Sequence, residues 1–192
     1  MTHRAHPETY IIKEMNIAVY CSANDNIADK YFIATRRLGE WMAANRHTLV
    51  WGGGNCGLMG CIGDAVHECG GTTIGMVPRA LEHTGRVSEH IDVLFPCDSL
   101  SDRKDLMLSH SDIAIALPGG IGTLDEVFGQ AGSCTIGFHR KKVILYNIDG
   151  FWDTTVSLLD HLQSQGMIRG HWTDFILTAS SLSEIASIID AG

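Results

Sequence analysis

Two stretches of this chain place chemically capable side chains beside backbone that can hold an anion. In Leu117-Pro118-Gly119-Gly120-Ile121-Gly122-Thr123-Leu124-Asp125-Glu126, an apolar run ends, three glycines follow within four residues, and a helical pattern begins. Glycines at such a turn expose backbone N–H groups, and the helix N-terminus adds partial positive charge; together they form a phosphate cradle. No Gly-Lys-Ser/Thr follows, so this is not a nucleoside-triphosphate loop. Thr123 and Glu126 also fit a capping box, with Thr123 as N-cap and Glu126 reaching back to its amide. The other reading puts Glu126 a few ångströms from a bound phosphate, under an attached ribose, where a carboxylate can act at a sugar carbon.

The second stretch is Ser99-Leu100-Ser101-Asp102-Arg103-Lys104-Asp105-Leu106-Met107. Ser99 or Asp98 can cap this helix, and Asp102 complements its dipole. Arg103 and Lys104 oppose it, by roughly 0.3–1 kcal/mol each. Either Asp102 and Asp105 neutralise them locally, or they face an anion, for which arginine offers a two-pronged donor and lysine a mobile point charge.

A further glycine turn, Gly52-Gly53-Gly54-Asn55-Cys56-Gly57, fits GxGxxG between a strand and a helix. A dinucleotide fold wants an acid about 20 residues on to hold the ribose, and that region reads Met76-Val77-Pro78-Arg79. The remaining readings are a tight structural turn, or one that lets a mononucleotide approach the backbone. Ten histidines include no HExxH-like cluster, and six cysteines include no CxxC pair or zinc spacing. No metal and no cofactor is expected.

The elements that must position these groups alternate. Strands are expected at 16–20, 48–51, 73–77, 91–95, 112–117, 143–146 and 175–178. Helices are expected at 27–45, 58–69, 99–110, 123–138, 151–165 and 182–189, with a loop or short helix over 79–90. Such alternation implies an α/β fold: a single Rossmann-like, doubly wound parallel sheet with helices on both faces, spanning 15–192 behind a polar arm at 1–14.

Composition limits the partners. A length of 192 residues suits one domain, and the 21 glycines exceed the roughly 7% average without a collagen period. A net charge of −8 argues against a broad basic face for nucleic acid or anionic membrane, while leaving room for a small anion. The N-terminus is too polar for a signal-peptide core, and no apolar stretch nears the ~20 residues of a membrane span, so a cytoplasmic protein with reduced thiols is expected.

Taken together, Asp102-Arg103-Lys104…Met107 and Pro118-Gly119-Gly120-x-Gly122-Thr123-x-x-Glu126 resemble the Lonely Guy family of cytokinin riboside 5′-monophosphate phosphoribohydrolases, often mislabelled lysine decarboxylase-like. The resemblance extends to Gly52-Gly53-Gly54…Gly57-Leu58-Met59-Gly60 and to Ile136-Gly137-Phe138-His139, and runs from about Asn16 to Leu182. It implies that Gly119, Gly120, Gly122 and Thr123 hold the 5′-phosphate of an AMP-like nucleoside monophosphate. Arg103 and Glu126 would carry hydrolysis of the base–ribose bond, with Lys104, Gly54, Ser22 and Met107 around the substrate. It also implies a homodimer or higher homo-oligomer. Three departures touch the base and ribose surroundings: Leu100-Ser101 replaces the usual Met-His, Ala80 replaces a glutamate, and Cys21-Ser22-Ala23-Asn24 replaces Cys-Gly-Ser-Ser. The same fold resembles molybdenum-cofactor carriers, which bind without turnover, and in that reading Glu126 is only a cap.

Overall fold

Four of the seven strands are short, nearly unbroken apolar runs, and such runs are stable only where both faces of a sheet are covered. In the computed structural model, which describes residues 14–81 and 83–191, all seven strands pair in parallel. They are β1 (Asn16–Tyr20), β2 (Thr48–Trp51), β3 (Thr73–Pro78), β4 (Val93–Cys97), β5 (Ile113–Ala116), β6 (Val143–Tyr146) and β7 (Ile176–Ala179). The order across the sheet is β4-β3-β2-β1-β5-β6-β7. The expected arm at 1–14 lies, apart from Glu14, outside the described residues.

Helices cover both faces. On one side α1 (Asp29–Ala44), α2 (Gly57–Glu68) and α6 (Leu182–Ala191) bury Leu38, Met42, Leu58, Ile62, Val66, Ile185 and Ile189. On the other, α3 (Leu100–Ser109), α4 (Ile121–Thr135) and α5 (Asp153–Ser164) bury Met107, Val127, Ala131 and Leu159. The doubly wound architecture expected from the alternation is therefore present.

Two boundaries differ from the sequence reading for a physical reason. The strand expected at 91–95 lies at Val93–Cys97 and contains Pro96. Proline cannot donate to a sheet ladder, but β4 is an edge strand with one side unpaired, which tolerates it. Ile91 is used instead as packing over Gly75, where a Cβ would collide with it, and the Asp92 carboxylate accepts the Thr73 amide N–H at 2.8 Å. Likewise β3 runs through Pro78 rather than stopping before it.

Strand order reverses between β1 and β5, since the chain proceeds outward from β1 to β4 and then returns to β5 on its other side. In open parallel sheets the crevice beyond the strand ends at such a reversal is where ligands bind. The loops after β1, β2 and β5 meet at that point.

Candidate active site

The loop leaving β1 is stitched to its neighbours by backbone. Leu117 N–H donates to Tyr20 O (2.9 Å) and Ser22 N–H to Pro118 O (3.1 Å), extending the β1–β5 seam beyond the sheet. On the other side Leu58 N–H donates to Ser22 O at 2.9 Å. Gly57 lies at φ +58°, and a Cβ there would strike the backbone of Ser22, Ala23 and Asn24, so only glycine allows this approach.

This seam decides which helix end can receive an anion. The start of α2 is already occupied: Gly57 N–H donates to Asp25 Oδ1 at 2.7 Å. The start of α4 has no side-chain cap; its N-cap is Gly120, and Ile121, Gly122 and Thr123 form its first turn. Their N–H groups have no acceptor within the helix. The phosphate cradle expected at Gly119, Gly120, Gly122 and Thr123 is thus an open helix N-terminus. Gly119 is glycine for a packing reason, because a Cβ there would run into the Thr123 side chain.

The capping box expected for Thr123 and Glu126 is absent. Thr123 is the third helical residue and 3% exposed, and Glu126 lies in the second turn rather than the first. A glycine N-cap leaves the Glu126 carboxyl without a role in ending the helix. Instead Glu126 turns inward beside Arg103, with Arg103 Nη1 at 3.7 Å from Glu126 Oε1, and the two side chains are only 11% and 15% exposed.

Arg103 reaches this position because Gly52 lacks a side chain: a Cβ on Gly52 would overlap the guanidinium. The Arg103 Nε is buried with no hydrogen-bond partner. A buried guanidinium held by one long ion pair still has strong donors to offer an incoming anion. Burial pushes the Glu126 carboxyl up to about 7, against the pull of Arg103 and, more weakly, Lys104. Burial likewise drives the neighbouring Tyr20 phenol and Cys21 thiol far above their ordinary ranges, so neither is a nucleophile at neutral pH.

A cleft of about 420 Å³ joins these groups, lined by residues 21–24, Met59, Arg103, Gly120, Gly122, Thr123 and Glu126. It continues past Ala23, Met59 and Arg103 into a second hollow of about 440 Å³, where Gly52, Gly54, Asp25 and Asn55 lie. Glu126, Gly120, Gly122, Thr123 and Ser22 therefore border the first of two adjoining hollows, Gly54 borders the second, and Arg103 lines both. Gly119 sits behind Thr123.

Two residues expected at the substrate are elsewhere. Met107 is fully buried on the inner face of α3, packed in the core. Lys104 Nζ is held by both Asp125 oxygens at 2.8 Å and faces a separate small hollow on the far side of Glu126. Arg103 and Met107, four residues apart, lie on one face of α3 a turn from each other, with Met107 packed in the core, whereas Lys104 is directed to Asp125 of α4; of the three only Arg103 lines the cleft. Nor do Asp102 and Asp105 neutralise the two cations; the partners come from α4. Asp102 instead closes the start of α3, its amide donating to Ser99 Oγ and its carboxylate accepting from Asp98 N–H.

The glycine turn beginning at Gly52 borders the cleft, as does Met59 from the same stretch, whereas Asp25 is a cleft residue that no motif marks. The signal for Asp25 is its place in the loop that leaves β1, beside the strand-order reversal.

A family model described as "possible lysine decarboxylase" matches residues 59–189. The chain is 32% identical over 175 residues to a cytokinin riboside 5′-monophosphate phosphoribohydrolase of Arabidopsis thaliana, covering 91% of this chain and 77% of that one. It is 34% identical over 158 residues to an enzyme of the same name from Mycobacterium tuberculosis, covering 82% and 84%. Among solved structures, the molybdenum cofactor binding protein of Rippkaea orientalis shares the fold with a TM-score of 0.70 at 23% identity, over 93% of this chain and 97% of that one. On the extent of the family match and of these sequence relationships, the chain belongs to the family of the cytokinin riboside 5′-monophosphate phosphoribohydrolases.

Proposed function

We propose that this protein hydrolyses the N-glycosidic bond of a purine nucleoside 5′-monophosphate, with adenine or an N6-substituted adenine as base, giving free base and ribose 5-phosphate. The observation that carries this reading is the buried Glu126–Arg103 pair one turn beyond an uncapped glycine helix start. The 5′-phosphate sits on the N–H groups at Gly120, Gly122 and Thr123. The ribose then lies toward Glu126, and the base extends past Met59.

Cleavage of a glycosidic bond passes through an oxocarbenium-like sugar, which a carboxylate stabilises or whose attacking partner it activates. Glu126 fills that role in its ionised form, either drawing a proton from water or attacking the anomeric carbon itself. As the C1′–N bond breaks its electrons leave with the base, which takes up a proton. Water supplies the oxygen that ends on C1′. Arg103 holds the carboxylate and restrains its charge. Phosphate binding remote from the reacting bond fixes the sugar over Glu126.

The test is free adenine released from AMP. Glu126→Gln should lose that release while still binding AMP, and wild-type-like turnover in this variant would refute the assignment. Adenosine, lacking the anchor, should be a poor substrate; equal rates for adenosine and AMP would remove the phosphate cradle from the mechanism. Binding of AMP with no release by the wild type would instead identify a carrier.

Self-association near the cleft belongs to the same reading. Ile121, Phe128, Ile136 and Phe138 are exposed along α4 and just beyond it, Ile121 and Phe138 at 86% and 80%. Large apolar side chains exposed along one helix in this way suit a second copy of the chain. No described helix is long and apolar enough to cross a membrane, and six free cysteines fit a reducing, cytoplasmic setting.

A further inference from the structure

The hollow beyond Met59 receives the base in the reading above, on which this inference rests. Its apolar lining comes from Met59, Pro78 and Leu81. Most of its polar side chains are already committed. Asn55 Nδ2 donates to Gly85 O at 2.9 Å, and its Oδ1 accepts from the Cys56 thiol. Arg86 and Arg103 are donors only, and any purine offers them ring-nitrogen acceptors. Asp25 differs. Its Oδ1 is fixed by Gly57 N–H, while Oδ2 has no partner among the described residues.

We infer that Asp25 selects 6-amino purines over 6-oxo purines, its free Oδ2 accepting from the N6–H of the base. An adenine presents a donor at position 6; hypoxanthine presents a carbonyl there, which repels a carboxylate oxygen, and its N1–H lies one ring position away, off the line to Oδ2 for a base anchored through its ribose and phosphate. Guanine satisfies a carboxylate best by giving two N–H groups to two oxygens, and here one oxygen is spent on the helix. A singly substituted N6 keeps one N–H and is accepted; a doubly substituted N6 has none.

The same bond makes a clean test. In Asp25→Asn, Gly57 N–H still requires an acceptor, so the amide oxygen stays on it and the NH₂ group takes the position of Oδ2. One acceptor becomes one donor, with the start of α2 intact. Dissociation constants for AMP and IMP, measured by calorimetry beside base release, should favour AMP by roughly tenfold or more in the wild type, as a mispaired polar group costs on that scale. Asp25→Asn should reverse the order. On the wild type alone, N6-methyl-AMP should bind like AMP, and N6,N6-dimethyl-AMP should bind as weakly as IMP.

Equal binding of AMP and IMP by the wild type, binding of neither, an unchanged ratio in folded Asp25→Asn, or indifference to the second methyl group would each overturn the inference. Selective binding without base release would refute the hydrolase reading and leave the role of Asp25 standing.

Discussion

Replacing Glu126 by glutamine should make the protein more stable, and only at neutral and alkaline pH. Burial raises the carboxyl from its ordinary 4.5 to about 7, so the folded protein holds the Glu126 proton more tightly than the unfolded chain does. Stability from this group is complete below pH 4.5, declines as the pH rises toward 7, and is fully lost above it. A tenfold change in proton affinity is worth about 1.4 kcal/mol. The cost of keeping the ionised carboxyl folded is then roughly 3 kcal/mol, and the attraction of Arg103 is already included in it. Glutamine resembles the protonated acid and avoids this cost. At pH 8.5, without nucleotide, Glu126→Gln should melt about 6–12 °C above the wild type, using roughly 2–4 °C per kcal/mol for a chain of this size. At pH 4.5 the two should melt within a degree or two of each other. Differential scanning calorimetry at both pH values decides it. An offset that is absent at pH 8.5, negative there, or equal at both pH values would refute the view that Glu126 is held ionised at an energetic cost.

Other perturbations separate binding, catalysis and packing. The kcat/KM for AMP should fall about tenfold per pH unit below about 7, as protonation of Glu126 in the free protein removes the ionised form; a flat profile from pH 5 to 8 would exclude that form as the active one. Gly52→Ala should displace Arg103 and lower kcat by roughly a hundredfold with AMP still bound, since misplacement of about 1 Å costs on that order; unaltered kcat would remove Arg103 from the chemistry. A Cβ at Gly122 meets nothing within 4 Å, so Gly122→Ala should fold normally yet raise KM for AMP by intruding on the cradle. An unchanged KM would place the phosphate elsewhere. Phe138→Asp should dissociate any oligomer in sedimentation at micromolar concentration without lowering the melting temperature of the subunit, and identical sedimentation of variant and wild type would acquit this surface.

Glycine turns and apolar runs made the sheet and the glycine turn ahead of α4 readable in advance, because both depend on local backbone demands. Side-chain direction was not readable in the same way. Arg103 and Lys104 are adjacent in sequence, yet one is buried beside Glu126 and the other is held by Asp125 at the surface. Met107, joined to them by motif alone, lies in the core. The Thr123–Glu126 spacing matched a capping box, but Gly120 starts the helix three residues earlier and so changes which turn each side chain occupies. The strand expected at 91–95 stops short of Pro96, and only the position of β4 at the sheet edge shows why the proline is accommodated. Asp25 belongs to no motif; its importance arises from Gly57, 32 residues away in sequence.

The pairing of β1 with β5, which joins Ile17 to Ile113, also has a consequence for how the protein acquires its site. Pairings of β1 with β2 and of β2 with β3 link segments close in sequence, whereas this one closes a loop of about a hundred residues and belongs to the slow class of contacts. Glu126 and the open start of α4 arrive only with that closure, while Ser22, Asp25 and Gly52 are supplied by the earlier half. A nascent or truncated chain ending before β5 would therefore lack the Gly119–Thr123 turn and Glu126, and on the function proposed above, nucleotide capture would mark the moment at which the two halves of the sheet become one.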